Sequence, residues 1–418
     1  MDYKALLYLL IYQSIVSFQW EWTLSLGGAV EFKFDCEEWI GRKPCRFQIE
    51  QGLVDCGGCR FYRRSSAQVS FLPRQNYTLE VLKKAKVVGI IRHGGLGNIL
   101  RTDAVSRGIR VVNPDAHIVW MTHAEGAELL EYVPGVTPIN MMSHPVRPDL
   151  VRQLDVLINF EAIEVVRPII EASKCVAGFS LNEFGKFVPA SSHALHLQAL
   201  QIGDELRKNG NKSMQRVLLD AVGLEAVEAE YDLELPLGKL EEAERIVGTR
   251  PAIGLNIGTS QKGRLKRWPP GYWVQLVARL NQTLPDARVF VLTGPEDGDI
   301  KTEFLRLLKT RGELRVTVLP DTMDVGLFMA VIDQLDYLVT NDTFAFHVAS
   351  ARNTPQVVVA GPMPAQELEI RVGSKLLNTP LSCAPCYYRC TQDLKGRCMH
   401  HISVEQVLTN LLKLTEGR

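Results

Sequence analysis

From residue 87 onward the chain alternates between two hydrophobic patterns. Runs that are apolar at nearly every position fall at 87–92 (VVGIIR), 118–121 (IVWM), 155–160 (DVLINF) and 176–179 (VAGF). A second set falls at 252–256 (AIGLN), 289–293 (VFVLT), 316–319 (VTVL), 337–340 (YLVT) and 356–360 (QVVVA). Strands buried on both faces of a parallel sheet read this way, whereas half-exposed strands alternate. Helical stretches sit between most of the runs, so the chain predicts an α/β fold built from βα units. The two sets divide at 232–248, where Pro236 and Gly238 precede a charged helical stretch. Domains are therefore expected over 81–235 and 249–380, with an extension over 1–80 and a closing segment over 381–418. Residues 403–414 (SVEQVLTNLLKL) predict an amphipathic C-terminal helix that packs back across the fold.

Three strand-to-helix junctions have compositions suited to chemistry. After 337–340, Asn341-Asp342-Thr343 can cap a helix running to residue 351. A helix N-terminus at the carboxyl edge of a parallel strand gathers free N–H groups and a positive dipole end, which suits a diphosphate. After 87–92 comes His93-Gly94-Gly95-Leu96-Gly97-Asn98, then a helical pattern over 99–112. Its glycines allow a tight turn and close backbone approach, although GGxG spacing does not meet the GxGxxG dinucleotide fingerprint. After 252–256, Gly258-Thr259-Ser260 lead into a loop carrying Lys262, Arg264, Lys266 and Arg267, and Trp268-Pro269-Pro270 open a helix over 271–284. Cations crowded beside a helix start read as a phosphate clamp. Each junction alone also describes an ordinary βαβ unit or a solvated basic loop; their order along one chain carries the information.

In that order the junctions resemble glycosyltransferase family 9, the heptosyltransferases of bacterial lipopolysaccharide assembly. The family's GxLGD motif falls at Gly94 to Asn98, its K-x-W-P motif at Lys266-Arg267-Trp268-Pro269, and its D-[ST]-G-x-x-H-x-A motif at Asp342 to Ala349. Gly361-Pro362-Met363 stands where the family's next strand ends in GPT. The resemblance covers residue 87 to the C-terminus. It implies two Rossmann-like domains facing a cleft, the GT-B arrangement, with acceptor on the first domain and nucleotide sugar on the second. The donor it implies is an ADP-linked heptose or similar sugar, and the acceptor a lipopolysaccharide core or related glycan. Nucleotide-sugar contacts are then expected at Gly94, Gly95, Gly97, Lys266, Arg267, Trp268, Asp342, Thr343 and His347.

An inverting sugar transfer must neutralise a departing diphosphate and remove a proton from the acceptor hydroxyl. Lys266, supported by Arg267, is expected to take the first role together with the amides from Thr343 to Ala345. Asp342 is expected to cap the helix or hold a sugar hydroxyl, and the resemblance makes His347 a phosphate or ribose contact.

Two positions depart from the family. The aspartate of GxLGD, the family's proposed general base, is Asn98, and an amide orients a hydroxyl but takes no proton near neutral pH. The glycine after Asp-Thr is Phe344. Asp103 lies about 140° round a helix from Asn98 and does not replace the missing carboxylate. Glu161, just past the run 155–160, is the expected base, ahead of His93.

Composition narrows the class. With 47 Lys and Arg against 47 Asp and Glu the formal charge is zero, which argues against a nucleic-acid binder. At 418 residues and 46% hydrophobic content there is room for two real cores. Residues 5–16 are mostly apolar after Lys4, so a signal, a membrane-surface anchor and an inert extension all fit the N-terminus. Eight of nine cysteines form two groups, Cys36, Cys45, Cys56 and Cys59, and Cys383, Cys386, Cys390 and Cys398. Each contains a C-x2-C pair, the turn that brings two sulfurs to one ion. Activated-sugar enzymes are normally cytosolic, where thiols stay reduced, so metal is expected over disulfide. Zinc is the default. The branch of the family that modifies autotransporters carries an iron-holding C-terminal cysteine finger, which keeps iron open. Cys175 reads as core.

The expected function is thus a cytoplasmic glycosyltransferase with peripheral contact at the inner membrane. The alternative, raised by Asn98, is a catalytically weakened relative that binds nucleotide sugar or glycan.

Overall fold

The computed structural model describes residues 22–25, 29–41, 45–51, 56–66, 75–143, 146, 148–202, 210–228, 233–387, 390 and 397–416. The apolar stretch at 5–16 lies outside them. Among the described residues no helix is long and apolar enough to cross a membrane.

A short antiparallel hairpin, β1 (Trp22–Ser25) and β2 (Ala29–Phe32), precedes two sheets. The first sheet holds β3 (Val87–Ile91), β4 (His117–Thr122), β5 (Val136–Asn140), β6 (Val156–Asn159), β7 (Val176–Leu181) and β8 (Phe187–Pro189) in the order β5-β4-β3-β6-β7-β8. All pairings are parallel except β7 with β8. The second holds β9 (Ala252–Asn256), β10 (Arg288–Leu292), β11 (Thr317–Val318), β12 (Tyr337–Asn341), β13 (Gln356–Ala360) and β14 (Lys375–Asn378) in the order β11-β10-β9-β12-β13-β14, wholly parallel. Both orders reverse direction at one place, between β3 and β6 and between β9 and β12, and the crevice outside such a switch point is where doubly wound sheets bind ligands.

The apolar runs became the central strands because those strands have a covered layer on each face. Every residue of β9, β12 and β13 is buried. Strands β5, β8 and β14 escaped the sequence reading for the complementary reason. They lie at or near sheet edges, half-exposed, and so lack a continuous apolar run. The run 316–319 shrinks to a two-residue edge strand.

Seven helices matter for the site: α1 (Leu96–Val112), α2 (Met214–Asp220), α3 (Leu237–Val247), α4 (Pro270–Thr283), α5 (Val325–Gln334), α6 (Phe344–Arg352) and α7 (Val404–Glu416). Helices α1 and α2 belong with the first sheet, and α3, α5 and α6 pack together on the second. Helix α1 meets α6, and one apolar cluster runs through both units, from Ile90, Ile99 and Trp120 to Met329, Leu338 and Val348. The far face of the second sheet is covered by α4 and α7, with Trp268, Val407 and Leu411 fully buried. The C-terminal helix packs back as its pattern predicts.

The first cysteine group sits against the β8 edge. The Trp39 indole N–H donates to the Phe187 carbonyl at 2.8 Å, and Asn182 Nδ2 donates to the Phe34 carbonyl at 3.0 Å. Phe32, Phe34, Trp39 and Ala199 close a small separate core there.

Candidate functional site

The two switch points face each other. At the first, β3 ends at Ile91 and the glycine loop runs through Gly94 and Gly95 into α1, with Gly95 as N-cap. Asn98 occupies the third position of the helix and its amide donates to the Gly95 carbonyl at 2.7 Å. Its side chain lies over Gly94, where a Cβ would stand 3.0 Å from Asn98 Nδ2. His123, just past β4, supports the loop from beside it. Its Nε2 donates to the Gly94 carbonyl at 2.7 Å, and its ring stands edge-on to His93 at 5.2 Å.

Glu161 follows β6 and is buried beside this loop, as expected of a residue past a strand's carboxyl end. Its Oε1, however, accepts from the His93 amide at 2.9 Å and pairs with Arg92 Nη1 at 3.4 Å. Asn159 bonds its backbone on both sides. Glu161 thus holds the His93 amide and the Arg92 guanidinium, tying the glycine loop to the end of β6. Asp103 is fully buried in α1, where its carboxylate accepts from the Ser106 hydroxyl.

At the second switch point, β12 ends in Asn341 and α6 starts after Thr343. Thr343, the N-cap of α6, makes no side-chain cap hydrogen bond, and among the described residues neither Asn341 nor Asp342 supplies one. The Thr343 hydroxyl instead accepts from Asn256 Nδ2 at 3.0 Å, which ties β9 to the helix start. Lys266 reaches in from the basic loop. Its Nζ lies 2.9 Å from Asp342 Oδ2 and donates to the Asp342 carbonyl at 3.0 Å. Burial pushes the Asp342 carboxyl up, but the Lys266 ammonium and the Arg101 guanidinium hold it below the usual carboxylate range.

His347 lies one turn into α6 and is 3% exposed. Burial, then the nearby Arg101 charge, push it well below the ordinary histidine range, so it is neutral at pH 7. Arg101 Nη2 donates to His347 Nε2 at 3.2 Å, which places the ring proton on Nδ1. The sequence reading missed Arg101, because nothing in the spacing of α1 shows that this one arginine crosses to the other domain.

Two expected nucleotide contacts are otherwise engaged. Arg267 pairs with Asp297 at 3.0 Å and Asp299 at 2.8 Å and donates to Thr259, so its charge is neutralised within the second domain. Asp297 also accepts from the Thr259 and Gly294 amides, and a Cβ on Gly258 would stand 1.8 Å from its Oδ2. It is the organiser of this loop, and no motif pointed to it. Trp268 is fully buried, stacked edge-on with Trp273 at 4.9 Å, and its indole donates to the Ile402 carbonyl at 2.8 Å. Its contribution is to lock the Lys266 loop to the C-terminal segment. Phe344 stacks on Phe328 at 5.9 Å, which turns its ring toward the core rather than over the helix start.

Among the described residues no group of three or more His, Cys, Asp or Glu side chains could hold a metal ion as arranged. Among the described residues no disulfide joins any of the nine cysteines. Cys36, Cys45, Cys56 and Cys59 nevertheless line one cavity, and Cys383, Cys386, Cys390 and Cys398 line another. Burial pushes the Cys56 and Cys398 thiols up to about 11, so a thiolate at either needs a cation beside it.

Residues 198–392 match the family model described as glycosyltransferase family 9 (heptosyltransferase). No curated protein matches the sequence. Among solved structures, ADP-heptose LPS heptosyltransferase II of E. coli superposes with a TM-score of 0.59 at 18% identity, over 80% of this chain and 100% of that one. A family 9 glycosyl transferase from Veillonella parvula gives 0.57 at 16% identity, over 80% and 98%. TibC of enterotoxigenic E. coli, described as a dodecameric iron-containing heptosyltransferase in complex with ADP-D-beta-D-heptose, gives 0.51 at 11% identity, over 83% and 78%. The resemblance read from the motifs stands, and the paired parallel-sheet domains are those of GT-B heptosyltransferase structures.

Proposed function

We propose that this family 9, heptosyltransferase-like chain transfers a sugar from a nucleoside-diphosphate donor, an ADP-linked heptose or close relative, to a glycan hydroxyl such as one of the lipopolysaccharide core. The observation that carries the reading is the meeting of the two switch points, which sets the Lys266–Asp342 pair and the uncapped start of α6 opposite the glycine loop. The acceptor oxygen attacks the anomeric carbon from the face opposite the diphosphate. The C–O bond to the diphosphate breaks as the new one forms, its electron pair leaves with the phosphate oxygen, and the acceptor proton passes to a base. Lys266, held beside Asp342, and the first amides of α6 donate hydrogen bonds to the leaving group. Asn98 orients the acceptor hydroxyl and His93 accepts its proton, with Glu161 and His123 fixing the loop on which His93 stands.

Asn98 also supports a second reading, a relative that binds nucleotide sugar without efficient transfer, because its amide cannot serve as the base. Metal at the cysteines belongs to the proposal as well. What supports it is that each set of four sulfurs surrounds a shared cavity, whereas the described geometry does not yet close on an ion. The proposed setting is a reducing cytoplasm, with acceptors presented at the inner membrane face.

The test is incubation of purified protein with ADP-, GDP- and UDP-linked sugars, with and without lipopolysaccharide core acceptors, and mass spectrometry of the products. Acceptor-dependent transfer from an ADP-linked heptose is expected. Nucleotide binding without turnover, in wild type and in Asn98→Asp, favours the second reading. Failure to bind any nucleotide overturns both.

A further inference from the structure

Four cations are buried or half-buried around the two switch points: Arg92, Arg101, Lys266 and Arg267. Three have carboxylate partners, Arg92 in Glu161, Lys266 in Asp342, and Arg267 in Asp297 and Asp299. Among the described residues Arg101 has none within salt-bridge distance. Its one side-chain partner is the neutral imidazole of His347, and its Nε, like that of Arg92, is buried with no hydrogen-bond partner. A guanidinium left in that condition is unusual, since buried donors are almost always satisfied and buried charges almost always paired.

Where Arg101 lies gives the condition a use. It belongs to α1 of the first domain, yet it touches a residue of α6 whose first turn is the helix start beside Asp342. Its charge acts on Asp342 and His347 together. The Asp342 carboxylate cancels the Lys266 ammonium, and His347 carries no charge at pH 7. The positive charge that remains for a ligand among these four groups is that of Arg101. Nε stands on the same edge of the guanidinium fork as Nη2, and that edge binds two phosphate oxygens side by side.

We propose that Arg101 is a leaving-group residue, delivering the uncompensated cation for the donor's diphosphate from the opposite domain. The Nε–H is then a donor to a diphosphate oxygen, and Nη2 either keeps His347 or shares itself with the ligand. Because Lys266 and α6 come from the second domain and Arg101 from the first, the full positive potential exists only while the domains stand apposed as they do here. Charge stabilisation is thereby tied to domain closure. Gly97 is part of the same device, since its missing side chain lets α1 approach closely enough for Arg101 to reach.

This inference rests on the nucleotide-sugar reading, and the experiment separates the two. ADP, adenosine and inorganic pyrophosphate are titrated calorimetrically into full-length wild type, Arg101→Gln and Arg101→Lys, at low and high salt. Arg101→Gln should bind ADP and pyrophosphate about tenfold more weakly and lose part of the salt dependence, with adenosine unaffected. Arg101→Lys should keep most of the affinity, within about threefold of wild type, because it keeps the charge. Matched thermal melting of the three proteins shows that they are folded, and Arg101→Lys serves as the folded comparison if Arg101→Gln is not. Equal ADP affinity in all three proteins overturns the role of Arg101 and leaves the wider function standing. A wild type that binds neither ADP nor pyrophosphate overturns the nucleotide-sugar reading itself.

Discussion

Gly97 lies directly against His347: a Cβ built on Gly97 would stand 2.5 Å from His347 Cδ2 and 3.6 Å from the Phe344 Cα. One residue comes from the first turn of α1 in the first domain and the other from α6 of the second. The pair marks the point where two motifs far apart in sequence become one site. Gly97→Ala therefore forces α1 away from a ring that is buried and has nowhere to move. A loss of about 1–3 kcal/mol of stability is expected from such overpacking. Denaturant melts should show it, and ADP affinity should fall with it because Arg101 loses its reach. An unchanged melt would mean that the domains separate freely in solution.

With Lys266 in the proposed role, Lys266→Ala removes a charge-assisted hydrogen bond to the diphosphate worth about 1.5–3 kcal/mol. ADP binding should weaken by roughly ten- to a hundredfold in calorimetry. It also leaves the Asp342 carboxylate buried without its ammonium, a change that usually destabilises by about 3–5 kcal/mol. Lys266→Ala combined with Asp342→Asn should recover stability but not affinity, which separates the two effects. Recovery of both would place the nucleotide elsewhere.

The acid limb of stability should carry a signature of His347. Its folded pKa is depressed below the ordinary value near 6.5, so the unfolded chain binds the extra proton first. The stabilisation is complete above about pH 6.5 and is lost as pH falls from there toward the folded value. His347→Gln, which cannot titrate, should flatten the decline in melting temperature between about pH 7.5 and 5.5. Asp342 adds a second decline at lower pH, because its folded pKa lies below the usual carboxylate range. Parallel curves for wild type and His347→Gln would show that the imidazole is solvated in solution.

For the base, His93→Ala should reduce turnover by roughly 10²–10⁴ with nucleotide binding intact, the usual range for general-base assistance. Glu161→Gln should be milder and accompanied by lower thermal stability, since Glu161 holds the His93 amide and the Arg92 charge. Asn98→Asp restores the family's carboxylate and should raise turnover. Robust activity that is indifferent to both His93→Ala and Glu161→Gln would put the base elsewhere.

Elemental analysis of protein prepared under reducing conditions should return close to two equivalents of zinc plus iron, one for each four-cysteine set. Cys56→Ser should remove one equivalent and Cys398→Ser the other. Intramolecular disulfides and no metal by mass spectrometry would replace the proposal with an oxidised reading.

The amino-acid sequence by itself determined the two parallel sheets and the junctions on their switch points. Strands buried on both faces must be apolar throughout, so β3, β9, β12 and β13 are written as uninterrupted runs. Glycine turns and helix starts are local, and so Gly94, Gly97, Lys266 and Asp342 could be found one segment at a time. What a side chain finally touches is not local. Lys266 and its neighbour Arg267 look equivalent in the chain, yet one reaches the start of α6 and the other is neutralised by Asp297 and Asp299. Trp268 reads as part of a ligand motif and is a core residue. Glu161 stands just past its strand as the run 155–160 implies, and its carboxylate is bound to the loop beside it. Arg101 carries no motif at all and meets His347 across 246 positions of chain. Backbone pattern follows from short-range sterics and burial, which each segment carries within itself. The partner of a charge follows from which surfaces the tertiary fold brings together, and only the folded structure decides that.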